Sequence, residues 1–416
     1  MKRFTLFVFF VLLFSSPLAA QGSFSIKAQP FIGFYIDKSS NIERIDPDAP
    51  KGVNLGVEFP SSQQRPWQQY LNNPTIGVGF TYMDFGADMM GHTLALYPYI
   101  LFNGIDTDRF DLKVKLASGL GYVNEHWYTQ ADTDPDHYGE ATTNTTFGCY
   151  INAYLNAGLD MDLHITRNIA LTGEFGFTHM SNGRTFMPNV GANIMYGGVG
   201  VLATIDKGEK KEPMHFPDLP YGWSLNITGA SGFQTPDVGD RKFLIASFHA
   251  GAVYSVNNWY GVGPGVDVFY NGAVSPESSR KLFRKDIDYT FTDKMRVGLA
   301  LNNEFRFGAV TAILDWGAYF FNPSRNYYIS DHPVYGHGKR PLFYKSEKNR
   351  FDEGWNYFRF GLKCRVWDNL YLQATAKTHR AIAEYIEFGI GYQIPFFRKD
   401  KGDGAVFHYR KGWWNR

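Results

Sequence analysis

The sequence predicts an all-β fold, a transmembrane antiparallel outer-membrane β-barrel of about 12–16 strands. The chain of 416 residues is 17% aromatic and contains 43 glycines, a composition typical of barrels with aromatic girdles at both membrane interfaces. Several segments of about ten residues or more alternate between apolar and polar side chains, the length that a tilted strand needs to cross a bilayer. Short turns alternate with long polar loops, as they do in outer-membrane barrels.

Residues 1–20 have the pattern of a secretory signal peptide. Two basic residues precede an apolar run from Leu6 to Phe14, and the small residues Ala19 and Ala20 follow it, as at a cleavage site. We therefore expect this segment to direct export to the outer membrane of a bacterial cell.

The alternation of side chains predicts which face of each strand meets lipid. In the segment 295–307 the odd positions are apolar except for Asn303, whereas the even positions include Arg296, Glu304 and Arg306. In a soluble sandwich this pattern would separate core from solvent, but in a barrel it separates lipid from lumen. Eight basic side chains are expected to point inward: Lys113, Lys115, Arg296, Arg306, Arg359, Lys363, Arg365 and Lys377.

The lengths of the connections predict the topology. Tight turns are expected around Arg167, Asn257, Gly308 and Asp368, and long loops over Glu125–Gly148, Ala273–Asp293 and Asn322–Gly354. Short turns lie in the periplasm in such proteins, so both ends of the barrel chain are expected there. The pattern does not decide between one barrel and two.

The end of the barrel, predicted to span residues 21–397, is a strongly alternating strand. This strand, Ala383–Phe397, ends in aromatic residues and resembles the closing strand that the outer-membrane assembly machinery recognises, so that machinery is an expected partner. The segment 398–416 is polar and basic, and we expect it to form a periplasmic tail.

The candidate site lies in the stretch GEFGFTHMSNGRTFMPNVGAN, Gly173–Asn193. Strand alternation places His179 and Ser181 on the same face as Phe175 and Phe177, the lipid-facing side. Burying such polar groups unpaired costs about 1–3 kcal/mol each, which indicates that they face a substrate. Two positions along a strand are about 6.6 Å apart, so the imidazole can reach the hydroxyl and activate it as a nucleophile.

The residues that follow complete a hydrolytic arrangement. The side-chain amide of Asn182 and the backbone amide of Gly183 are candidate oxyanion donors. A third group should orient the histidine. If the loop is symmetric about Phe186, Asn193 lies opposite His179 and is the candidate orienting residue.

The stretch FTHMSNG…MPNVGAN resembles the active-site hairpin of the PagL-type lipid A 3-O-deacylases, outer-membrane barrels that remove the ester-linked acyl chain at position 3 of lipid A. The family's His-x-Ser-Asn motif supplies base, nucleophile and oxyanion donor, which map onto His179, Ser181 and Asn182. The whole chain is similar to larger bacteroidete proteins labelled acyloxyacyl hydrolases. The resemblance, carried by residues 21–206, implies a Ser-His esterase that acts on lipopolysaccharide or lipid A without a cofactor.

The sequence departs from the family pattern in two respects. Other family members carry a glutamate 14 residues after the histidine, where this chain has Asn193. An asparagine can orient an imidazole but cannot stabilise its cation by charge, so Glu140, Asp136 and Glu384 are alternative partners for His179. The chain is also about twice as long as those barrels, and the role of its C-terminal half stays open.

Other functions remain as alternatives. A non-catalytic lipopolysaccharide-binding or porin-like barrel would explain the fold, and a phospholipase would use the same Ser-His pair. The basic loop Tyr335–Arg350 could bind lipopolysaccharide phosphates. A net charge of +1 does not indicate nucleic-acid binding. No metal site is expected, because parity places Glu384 on the outer, lipid-facing side of its strand and His379 and Glu387 on the inner side.

Overall fold

The computed structural model describes residues 23–36, 40–130, 143–206, 212–216, 221–275, 289–324, 354–379 and 382–399. The predicted signal peptide and the basic loop Tyr335–Arg350 lie outside these residues, as does residue 400 onward of the tail predicted over 398–416. The start of that tail at residue 398 is wrong, because the last strand continues to Lys399 and pairs with the start of the Tyr221–Gln234 strand. No helix among the described residues is long and apolar enough to cross a bilayer.

The first compact unit is a closed barrel of eight antiparallel strands, in which the last strand pairs with the first. Its strands are β1 Ser23–Tyr35, β2 Lys51–Phe59, β3 Thr75–Asp84, β4 His92–Asp106, β5 Phe110–Val123, β6 Ile151–His164, β7 Ile169–Ser181 and β8 Ala192–Asp206. Two short helices, α1 Ser40–Ile45 and α2 Pro66–Tyr70, lie in its connections.

The second compact unit is also a closed antiparallel barrel of eight strands. Its strands are β9 Tyr221–Gln234, β10 Phe243–Ser255, β11 Tyr260–Asn271, β12 Met295–Phe307, β13 Val310–Phe321, β14 Asn356–Trp367, β15 Leu370–His379 and β16 Ile382–Lys399. The short segment Gly183–Met187 groups with this unit rather than with the first. The predicted class, an antiparallel outer-membrane barrel protein, is confirmed, and the sixteen strands close as two barrels.

The outer face of each barrel is apolar and exposed, as a membrane requires. In β1, Ile26, Ile32 and Phe34 point outward and are exposed, whereas Lys27 and Gln29 are buried inside. The same alternation of buried and exposed positions runs along other strands, for example β3 and β10, and the outward-facing residues include many large aliphatic and aromatic side chains. An outward apolar band around a closed barrel is the surface that lipid covers.

The interior of the first barrel is filled by a network of buried charges. The Lys27 Nζ lies 2.8 Å from Glu58 Oε1 and 2.5 Å from Asp160 Oδ2. Lys115 donates to Glu174 at 2.9 Å. Each buried charge therefore has a partner of opposite sign, which offsets the cost of removing it from water.

The second barrel is filled in the same way. Arg359 lies 3.0 Å from both Asp267 and Asp315, and Lys363 lies 2.5 Å from Glu304. Eight-stranded barrels have an interior that side chains just fill. A cavity of about 50 Å³ at the turn end of this barrel has room for no more than a few waters, so the packed interior of the described residues argues against a wide water-filled channel.

The predicted orientation of the basic side chains is largely confirmed. Arg306 is half-buried and lies 3.4 Å from Glu304, and Arg365 is half-buried with a hydrogen bond to the Gly308 carbonyl. The remaining six of the predicted set are buried: Lys113, Lys115, Arg296, Arg359, Lys363 and Lys377.

Candidate active site on the outer face of the first barrel

The strands β7 and β8 bring three of the predicted residues together. His179 lies directly opposite Asn193 in the register of the two strands. The His179 Nδ1 is 2.7 Å from Asn193 Oδ1, and its Nε2 is 2.9 Å from Ser181 Oγ. On the same strand Leu171 and Phe175 face outward and are exposed, so this hydrogen-bonded chain lies on the outer face of the barrel.

The asparagine determines which nitrogen of the histidine carries the proton. The Asn193 Oδ1 can only accept a hydrogen bond, so the His179 Nδ1 must donate to it. The Nε2 of His179 is then unprotonated and accepts the hydrogen bond of the Ser181 hydroxyl. This tautomer is the one that a general base needs in order to remove the serine proton.

The turn after Ser181 is tight and fixed by its own contacts. Gly183 and Arg184 both have left-handed backbone conformations, with φ of 59° and 61°. The backbone amide of Asn182 donates to the Asn189 side chain at 2.9 Å, and Asn182 is buried. The turn thus places the two candidate oxyanion donors directly after the serine, while the Asn182 backbone amide is engaged elsewhere.

A residue that the sequence did not indicate, Gly191, packs against the pair. Its φ is 78°, and its amide donates to the Thr146 carbonyl at 3.0 Å. A Cβ built at this position would lie 2.9 Å from the Met180 carbonyl oxygen, 3.3 Å from Ser181 Cβ and 3.6 Å from His179 Cε1. A side chain here would therefore push against the backbone that positions the nucleophile.

The segment Thr143–Phe147 supports Gly191 from the neighbouring loop. All five of its residues are buried although four of them are polar. The Asn144 side chain donates to the Met89 carbonyl at 3.0 Å and accepts from the Thr146 amide at 3.0 Å. Its polar composition is typical of a solvated loop, so no sequence pattern revealed that it packs beside the site.

We expect Gly191→Ala to lower kcat/KM for ester hydrolysis about 10- to 100-fold, because a displacement of about 1 Å can cost this much. Gly197→Ala is the control, since Gly197 lies in the following strand β8 and a Cβ at its position meets nothing within 4 Å. Initial rates of the two variants in detergent micelles test the prediction. Equal rates would show that Gly191 does not position the pair.

Of the alternative partners for His179, Glu140 and Asp136 lie outside the described residues. The placement of Glu384 on a lipid-facing surface is wrong. This glutamate is 3% exposed and lies 2.5 Å from Lys377 and 2.8 Å from Arg296 inside the second barrel. It also lies 3.3 Å from the Nδ1 of His379, so the predicted separation of these two residues by parity is wrong as well. A register shift beside Lys377 breaks the alternation on which the expectation rested.

Two protein-family models match the chain. The model described as lipid A 3-O-deacylase (PagL) matches residues 51–201, which include the three hydrogen-bonded residues. The model described as acyloxyacyl hydrolase, C-terminal domain, matches residues 223–336 and 342–398. A search of curated proteins finds no match.

Several solved barrels are similar to the chain at low identity. The crystal structure of the outer membrane enzyme PagL is 14% identical, with 43% of this chain and 98% of that chain covered and a TM-score of 0.27. A designed transmembrane β-barrel is 12% identical, with 44% and 97% covered and a TM-score of 0.22. A mutant of the Rh. blastica porin is 13% identical, with 90% and 100% covered and a TM-score of 0.19.

Proposed function

Because the chain belongs to the lipid A 3-O-deacylase (PagL) family, we propose that it hydrolyses an acyl ester of lipid A in the outer membrane. Ser181 is the nucleophile, His179 the general base, and Asn193 the residue that orients the histidine. The observation that carries the proposal is the continuous hydrogen-bonded chain of these three residues on a lipid-facing surface.

The position of the site suits a substrate that resides in the membrane. The ester carbonyl of a lipid in the outer leaflet lies near the boundary between acyl chains and headgroups. Ser181 is the last residue of β7, whose outer face is apolar and exposed, and His179 and Asn193 beside it are half-buried while 8% of the serine itself is exposed. A lipid in the outer leaflet can therefore diffuse laterally along this face to the site without leaving the bilayer.

The reaction proceeds in two halves. In the first, Ser181 Oγ attacks the ester carbonyl carbon while His179 Nε2 takes the hydroxyl proton. The oxyanion is stabilised by the side-chain amide of Asn182 and the backbone amide of Gly183. The tetrahedral intermediate then collapses, the sugar oxygen leaves with the proton from His179, and an acyl-serine remains.

The second half regenerates the enzyme. His179 removes a proton from water, and the resulting hydroxide attacks the acyl-serine carbonyl carbon. Collapse of this second intermediate breaks the bond to Ser181 Oγ, which recovers its proton from His179, and the fatty acid is released. The outer-membrane assembly machinery remains a predicted partner for insertion of the barrel.

Mass spectrometry of lipids from cells expressing the chain, compared with cells carrying an empty vector, tests the proposed substrate. We expect lipid A to lose one acyl chain and the glycerophospholipids to keep theirs. Loss of acyl chains from phospholipid alone would favour a phospholipase. Unchanged lipids with a correctly folded protein in the outer membrane would contradict hydrolysis and favour a binding role.

A further inference from the structure

An exposed group of rings lies where β5 ends and β6 begins. Tyr122 and Tyr150 stack with their centroids 5.6 Å apart and their planes 6° apart. His126 meets the Tyr150 ring edge-on at 4.2 Å, and Tyr128 at 6.2 Å. We call these four residues the aromatic cluster. The exposed fractions of Tyr122, Tyr128 and Tyr150 are 41%, 51% and 45%, so the three tyrosines remain accessible.

The loop that carries half of the cluster is held in one conformation. His126 Nδ1 accepts from the Tyr128 amide at 3.0 Å, and the His126 amide donates to Thr129 at 2.9 Å. The Thr129 hydroxyl is 2.8 Å from Glu125 Oε2. Trp127 is fully buried beneath them. Burial lowers the pKa of His126, which favours the neutral ring that accepts this hydrogen bond.

The strand register fixes how far the aromatic cluster lies from the nucleophile. Tyr122 pairs with Ile151 across β5 and β6, and Ala153 pairs with Ser181 across β6 and β7. Tyr122 is therefore two strands across and two residues along from Ser181. With strands about 4.8 Å apart and about 3.4 Å per residue, the backbone separation is about 12 Å, which is the span of a disaccharide.

We propose that the aromatic cluster binds the sugar headgroup of a glycolipid substrate while its ester reaches Ser181. The exposed faces of Tyr122, Tyr128 and Tyr150 stack against the C–H face of a sugar ring, and the Glu125 carboxylate accepts hydrogen bonds from sugar hydroxyls. Rigid aromatic rings give up little conformational entropy on binding. This proposal rests on the proposed function, and it gives the site a preference for glycolipids over phospholipids.

Aromatic girdles anchor many barrels in the membrane without binding a ligand, so the test needs a tyrosine that only anchors. Tyr82 serves as this comparison: it is an exposed tyrosine on β3, two strands from Tyr122 in the register but four strands from β7, which carries Ser181. Tyr82 also packs against a histidine, His92, at 5.5 Å. Tyr82→Leu is therefore matched to the cluster variants in residue type, exposure and surroundings.

The experiment compares lipid A with a p-nitrophenyl fatty-acid ester, which lacks a sugar, in the same detergent micelles. For the double variant Tyr122→Leu, Tyr150→Leu we expect kcat/KM to fall about tenfold more for lipid A than for the sugar-free ester. This difference corresponds to a tenfold loss of affinity for the sugar headgroup. Tyr82→Leu should change the two substrates equally. Equal losses on both substrates in the double variant would overturn the proposal.

A binding measurement separates this proposal from the proposed function. In the Ser181→Ala background, lipid A in micelles is titrated against protein with and without the two leucine substitutions. We expect affinity about tenfold weaker in the substituted protein and no change for phosphatidylethanolamine. If wild type hydrolyses neither ester but this difference is found, the hydrolase fails and the headgroup site stands. Equal affinities would refute the headgroup site even in an active enzyme.

Discussion

Replacing Ser181 with alanine is expected to abolish the release of fatty acid from lipid A, with kcat falling by a factor of at least about 10⁴. The hydroxyl is the only part of the side chain that the reaction uses, and its hydrogen bond to His179 Nε2 marks it as the group to be deprotonated. Mass spectrometry of lipid A after incubation with purified protein measures the effect.

The loss should occur without unfolding. Ser181 is the last residue of β7, and although its side chain is buried, the substitution removes one oxygen without adding volume. Heat-dependent migration on gels reports whether the barrel is closed. Ser231→Ala, an exposed serine of β9 in the second barrel, is the control and should retain full activity. Continued deacylation by Ser181→Ala would place the nucleophile elsewhere in the chain.

Much of the site could be predicted because strands obey simple geometry. Period-2 alternation places His179 and Ser181 on one face, and a hairpin symmetric about Phe186 places Asn193 opposite the histidine. Both expectations agree with the register of β7 and β8. Neither required knowledge of how the barrel closes, because the two strands are joined by a short connection.

The features that could not be predicted from the sequence depend on long-range or irregular contacts. Alternation is the same for strands of one barrel or two, so the pairing of β1 with β8 and of β9 with β16 could not be read from it. A register shift near the start of β16 turned Glu384 inward, against its parity. The buried segment Thr143–Phe147 has a polar sequence, and its burial depends on long-range contacts such as its backbone hydrogen bonds with the loop before β8 and the bond of Asn144 to Met89.

The second large effect concerns Asn193. Asn193→Ala should lower kcat about 100-fold or more, because without the amide oxygen the imidazole is free to rotate and to take the other tautomer. In the Ser-His-Asp triad, a histidine held in the wrong tautomer lowers kcat by up to about 10⁴. Substrate binding should change little, because Asn193 touches the histidine and acts through it. Separate determination of kcat and KM for lipid A distinguishes a loss of histidine orientation, which lowers kcat alone, from a general loss of structure, which would reduce both binding and turnover.

Restoring a carboxylate at this position should have the opposite effect. Asn193→Asp keeps the length of the side chain and its hydrogen bond to Nδ1, and adds a negative charge that stabilises the imidazolium formed as Ser181 is deprotonated. Charge-assisted hydrogen bonds are roughly twice as strong as neutral ones, so we expect kcat to rise about tenfold. The gain is modest because the asparagine already selects the correct tautomer. A loss of activity in Asn193→Asp with a folded barrel would contradict the role of Asn193 in orienting His179. Full activity in Asn193→Ala would assign the orienting role to another residue, with Glu140 as the first candidate.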